Sequence, residues 1–254
     1  MVRRGEVTKA DMPYLSNEKI EQIAEKVIRT YRSLPQIQGR EIRRIDPLLL
    51  IDFLGLTVDY QRLSLNGILA GATSSGPDCM IVYDENDDID LYLLDGKTIL
   101  IDSALNEPKA NLGQRNFALT HEFCHHVLFS LYPKAYRIKE GGNRVLFYTI
   151  PSRKPASREE LITNRLASAV LMPESLVRSN MLRYGLGCKL KKLNRCFAAA
   201  EYEAFSQMAA VMQVSKTALA IRMQQLGLLE QNELANPLKG ASIVMDDAEM
   251  LLLS

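Results

Sequence analysis

Apolar residues recur every third or fourth position from Ile20 through Ile23, Ala24, Val27 and Ile28 to Tyr31, behind a cap-forming Ser16 and ahead of Pro35. That spacing predicts an amphipathic helix with one buried stripe. Asp46-Pro47 predicts the start of a second helix, running through Leu49, Leu50 and Phe53 to Gly55 with proline in its first turn. Shorter apolar runs follow at 57–60, 67–70 and 80–83, then at 91–94 and 98–101 on either side of Asp95-Gly96. They read as strands, the last two as a hairpin, because Asp-Gly readily takes the positive φ angles of a two-residue turn. A three- or four-stranded sheet is expected, with residues 98–101 either an edge that takes peptide by strand addition or an interior strand.

The pattern changes at Phe117-Ala118-Leu119 and Val127-Leu128-Phe129, where apolar residues fall on most sides of a helix that Pro133 stops. Inside that stretch lie all three histidines of the chain, in His121-Glu122-Phe123-Cys124-His125-His126. This is an HExxH motif: His121 and His125 stand one helical turn apart and can share a metal ion. Glu122 sits about 100° further round, placed to take a proton from water. Either histidine can also be an ordinary core residue, so the motif needs a third ligand. A catalytic zinc site has three protein ligands and one open position.

Residues 157–174 predict a second such helix, with Ser157 as N-cap and Pro173 near its end. Glu160 and Asn164 share a face there, so a carboxylate ligand has an amide one turn away to hold a ligand histidine by its other nitrogen. Two alternatives stay open. Glu160 can instead close a capping box with Ser157, and Glu159 can be the ligand.

The segment 115–126, followed by Glu160-xxx-Asn164-Arg165-Leu166-Ala167 and Leu171-Met172-Pro173, resembles the ImmA/IrrE metallopeptidases. A looser likeness covers Ile45-Asp46-Pro47, 54–58 and 96–102. The resemblance implies Zn²⁺ held by His121, His125 and Glu160, Glu122 as general base, and Asn164 orienting a ligand. It also implies an endopeptidase acting on a regulatory protein, typically a helix-turn-helix repressor of a mobile element or stress regulon. Phe123-Cys124 departs from the family's usual Leu-Gly. Cys124 is read as a buried space filler, the alternative being an inhibitory or redox thiol.

With 31 Lys and Arg against 30 Asp and Glu, the overall charge demands neither nucleic acid nor an anionic membrane. No long uncharged apolar window and no signal-like N-terminus are evident, so a cytoplasmic protein without a membrane partner is expected. Cys79, Cys124, Cys188 and Cys196 lack C-x-x-C pairing and suit reduced thiols. The glycine- and proline-marked insert between the two metal-binding helices can border the cleft, and Tyr132, Tyr136 and Tyr148 are candidates to stabilise an oxyanion.

Beyond a basic cluster at Lys189, Lys191, Lys192 and Arg195, residues 208–223 look like two helices around a turn, similar to a helix-turn-helix, with Ser215 capping the second. Lys216 is the one cation in its first turn, so a helical pair that completes the fold or grips a protein is favoured over DNA contact. The fold class expected is α+β: a small antiparallel or mixed sheet on a zincin-like HExxH helix in residues 1–180, a helical subdomain in 181–230, and a tail in 231–254. The functional expectation is a zinc endopeptidase whose C-terminal helices and basic cluster select a protein partner. The alternative is a non-proteolytic regulatory module that keeps the metal site and binds a repressor or DNA.

Overall fold

The computed structural model describes residues 13–133, 135, 146–149 and 157–238. The protein is mixed α+β. Helix α1 (Asn17–Ser33) begins where Ser16 Oγ accepts from the Lys19 amide at 3.2 Å. Helix α2 (Pro47–Phe53) begins where the Asp46 carboxylate accepts from the Leu48 amide at 3.1 Å. Both caps satisfy amides that the first helical turn leaves unpaired.

Strands β1 (Thr57–Gln61), β2 (Gly71–Ser74), β5 (Thr98–Asp102) and β6 (Leu146–Thr149) form a four-stranded sheet in the order β1-β5-β2-β6. β5 runs parallel to β1 and antiparallel to β2, and β2 pairs antiparallel with β6. Strands β3 (Pro77–Tyr83) and β4 (Ile89–Asp95) make a separate hairpin. Ile99 and Ile101 of β5 join the main core, whereas Leu100 and Ala72 pack with Met80, Val82 and Leu94 of the hairpin. The sheet is therefore sandwiched between helices and hairpin, which explains why β2 and most of β5 are buried on both faces.

One expectation fails here. Residues 91–94 and 98–101 are not hairpin partners: β4 pairs with β3, and Asp95-Gly96 carries the chain from one sheet to the other. The turn chemistry was right and its use was different. Gly96 has φ +81° and lies so close to Gly76 that a Cβ would meet its Cα at 2.7 Å, while Asp95 Oδ1 accepts from the Lys97 and Thr98 amides at 2.8 Å each. Of the two positions weighed for residues 98–101, β5 takes the interior one; it lies between β1 and β2, because its apolar residues on both faces need cover on both faces. The strand expected at 67–70 lies a little later, as β2.

Helix α3 (Leu112–Leu131) packs against β2 and β5 of this sheet and against helix α4 (Arg158–Leu171), which also packs on α1, and α5 (Glu174–Arg183) follows. Helices α6 (Ala199–Met212) and α7 (Lys216–Gln225) meet at Gln213, whose φ of +53° supplies the left-handed turn usually given to glycine. Strands β7 (Leu190–Leu193) and β8 (Leu229–Asn232), unforeseen in the sequence, pair in parallel beside them. Phe205, Met208, Leu219 and Met223 share one continuous core with Leu119 and Leu166. The apolar interior thus runs straight across position 181. No helix among the described residues is long and apolar enough to cross a membrane. The insert at 139–143, Tyr136, the side chain of Tyr148 and the tail beyond Leu238 lie outside the described residues.

Candidate metal centre

Helix α3 is buried along most of its length, which its all-round apolar flanks require. Helix α4 starts at Ser157, whose Oγ accepts from the Glu160 amide at 3.1 Å. That bond fixes the backbone of Glu160 and leaves its carboxylate for another purpose. Glu160 Oε2 stands 3.2 Å from His121 Nε2, and Oε1 stands 3.5 Å from His125 Nε2. The two Nε2 atoms are 3.0 Å apart. Both imidazoles are buried and the Glu160 side chain is 16 % exposed.

These three side chains can hold a metal ion. An amide oxygen only accepts, so Asn164 Oδ1 at 3.0 Å assigns the proton to His121 Nδ1 and leaves Nε2 a bare lone pair. The Nε2 atoms of His121 and His125 and the Glu160 carboxylate converge on one point, where a cation would meet all three. Ligand atoms about 2.0–2.2 Å from a tetrahedral ion stand about 3.3 Å from one another, and the observed separations of 3.0, 3.2 and 3.5 Å bracket that value. The donor set, two imidazoles and one carboxylate, suits zinc among other divalent ions.

The electrostatics also call for positive charge. Burial pushes the His121 imidazole down, but the Glu160 hydrogen bond and the charges of Glu122 and Glu160 outweigh it and hold the group above its ordinary value. His125 goes the other way, well below its ordinary value, through burial and the neighbouring His121. One histidine therefore attracts a cation and the other stays neutral, as a metal ligand must.

Each of the two histidines has a polar side chain behind its ring. Asn164 holds His121, as the sequence foretold. Glu159, weighed as a rival ligand, instead stands with Oε1 3.5 Å from His125 Nδ1, on the far side of the ring from Glu160. Phe129 stacks on His125 at 6.1 Å between ring centroids, and Phe117 flanks His121 at 6.3 Å.

Glu122 is fully buried, and the neighbouring strand makes room for it. A Cβ on Gly71 would meet Glu122 Oε1 at 2.9 Å and Cγ at 3.0 Å. Strand β2 therefore presents bare backbone to this carboxylate. One strand position on from Ala72, Thr73 Oγ1 hydrogen-bonds His126 Nε2 at 2.7 Å, and burial depresses that imidazole to about 4. His126 is thus tied to the sheet, turned away from the ligand cluster. Sequence reasoning missed Gly71 and Thr73; the small-residue run Ala70-Gly71-Ala72-Thr73 was the available sign of a close approach.

Cys124 is fully buried in the apolar core, and burial raises its thiol well above the ordinary range. That environment suits a space filler and not a reactive thiolate. Tyr132 ends α3 with its side chain against the main core. In comparison with known proteins, no family model and no curated protein matches this chain.

Proposed function

We propose that this protein is a zinc-dependent endopeptidase of the ImmA/IrrE kind, cutting a regulatory protein such as a helix-turn-helix repressor. The observation that carries the reading is a buried Glu122 seated against Gly71 beside the His121, His125 and Glu160 cluster. A structural metal site has no use for a further, non-ligating carboxylate in a space kept clear of side chains. Bound zinc would polarise the scissile carbonyl and ease ionisation of the attacking water. Glu122 takes the water's proton and delivers it to the leaving amine. Asn164 keeps the His121 imidazole aimed, and the surrounding phenylalanines exclude bulk water.

The C-terminal helices support a protein-directed role over DNA contact. Lys216 Nζ donates to the Tyr202 hydroxyl at 2.9 Å, and Arg222, the other cation of α7, is buried in a two-point pair with Glu21 at 2.6 and 2.8 Å. Lys189 and Lys192 of the basic cluster are paired with Glu230 and Glu233. Four of the six cations in α7 and the basic cluster thus already have a partner within the protein, which leaves less charge to meet phosphate.

The test is metal content together with a trap. Purified protein should carry about one zinc per chain, and Glu122→Gln should keep it while lowering turnover by a factor on the order of 10² or more. The same variant should retain an uncut repressor from its own cytosol. Equal cleavage by wild type and Glu122→Gln, or a protein that takes up no zinc, rules the reading out.

A further inference from the structure

The hairpin β3–β4 breaks the usual division of a two-stranded ribbon into one apolar and one polar face. Its inner face, Met80, Val82, Tyr92 and Leu94, covers the sheet. Its outer face is apolar as well. Cross-strand pairs Cys79–Leu93, Ile81–Leu91 and Tyr83–Ile89 form a continuous ladder, with Ile81 48 %, Ile89 69 %, Leu91 63 % and Leu93 78 % exposed. Tyr92 anchors the hairpin from beneath through its hydroxyl, which donates to Asp59 at 2.8 Å, so the outer face is held in a fixed orientation. Scattered apolar side chains on a surface mean little, but a contiguous ladder of this kind marks a contact surface.

Charge identifies what it contacts. Residues 77–95 hold seven carboxylates, Asp78, Asp84, Glu85, Asp87, Asp88, Asp90 and Asp95, and no lysine or arginine, in a chain of net charge +1. Asp95 closes one end of the ladder and the turn from Asp84 to Asp88 closes the other; of these, Asp87 is paired with Arg62. A second copy would bring a like set of carboxylates against the first, and an anionic membrane or nucleic acid would be repelled. A cationic partner with an apolar stripe fits.

We propose that the outer face of β3–β4 is a docking surface for a basic amphipathic helix of a protein partner. The ladder covers five residues of each strand, four steps of about 3.3 Å or about 13 Å, which two turns of helix at about 5.4 Å per turn nearly cover. Leucine-like residues of that helix lie on Ile81, Ile89, Leu91 and Leu93, and its flanking lysines or arginines meet the carboxylates at the two ends. The surface stands independently of the peptidase reading, since the hairpin and the metal-binding helices lie on opposite faces of the sheet.

The probe is a synthetic leucine–lysine amphipathic peptide about four turns long, with a leucine–glutamate peptide of the same pattern as control, titrated into the full chain. The lysine peptide should bind at least about tenfold tighter than the glutamate peptide, weaken with added salt, and bind equally with metal removed or with Glu122→Gln present. Leu91→Asn with Leu93→Asn, both exposed and so compatible with folding, should lose at least about tenfold in affinity. Glu85→Gln with Asp88→Asn should weaken binding and flatten its salt dependence. Unchanged affinity in the leucine variant, or equal binding of both peptides, overturns the proposal. So does a wild-type dimer in sedimentation that Leu91→Asn with Leu93→Asn dissociates, because the face would then be a self-association surface.

Discussion

The metal-binding helix pair and the β3–β4 hairpin depart from the usual partition of residues in opposite directions. Around α3 and α4, four ionisable side chains, His121, Glu122, His125 and His126, are buried where apolar groups would cost less. On the hairpin, Ile89, Leu91 and Leu93 are exposed where polar groups would cost less. Folding alone rewards neither choice. Where a chain breaks a local rule without a gain in stability, the gain lies in what it binds. The two regions differ in how they are held. The centre is fixed by polar contacts among His121, His125, Glu160 and Asn164, whereas the hairpin's outer face is a plain apolar ladder fixed only from below.

The largest effect is expected at the centre. Glu160→Gln removes the negative ligand and should lower zinc affinity by more than about 100-fold, read by competition with a chelator. Unchanged affinity would mean that Glu159 or another group completes the site. The hairpin supplies the counterpart in two neighbouring leucines. Leu94→Ala, on a residue 2 % exposed, should cost about 2–4 kcal/mol in urea unfolding, and Leu93→Ala, on one 78 % exposed, less than about 0.5 kcal/mol. Similar costs at both positions would show that the outer face is covered in solution.

Gly71→Val tests the link between sheet and centre. Its side chain must displace the Glu122 carboxylate, so turnover should fall by about tenfold or more while zinc stays bound. Loss of zinc in that variant would place Glu122 among the ligands. The smallest effect on the centre is expected from Cys124→Gly, which should keep zinc and activity and cost about 1–3 kcal/mol of stability through backbone freedom in mid-helix and the cavity left by a buried thiol. Loss of metal there would make the thiol a ligand.

The sequence was most readable where function and period coincide. His121, His125, Glu160 and Asn164 sit on helices whose geometry converts spacing directly into a shared face, so their grouping followed from counting residues. Strand partners do not follow from counting. Residues 98–101 find β1 some forty positions upstream, and the Asp95-Gly96 turn fits a crossover as well as a hairpin. Glu159 shows a subtler limit: two adjacent carboxylates at a helix start are equivalent in sequence, and only the position of His125 between the helices separates ligand from support. Gly71 is legible only in hindsight, because a missing side chain announces that something approaches without saying what.

The closeness of α3 to the α6–α7 turn bears on when the centre comes into being. A Cβ on Gly113 would meet the Ser215 amide nitrogen at 2.5 Å, and Asn116 Nδ2 donates to the Gln213 carbonyl at 3.2 Å. The first turn of the metal-binding helix is therefore seated against a segment translated about a hundred residues later. At a synthesis rate of about 5–20 residues per second, that segment follows by about 5–20 s. Until then the first turn of α3 lacks that support. The start of the candidate metal-binding helix thus gains its seat only after helices made late in the chain have folded beside it.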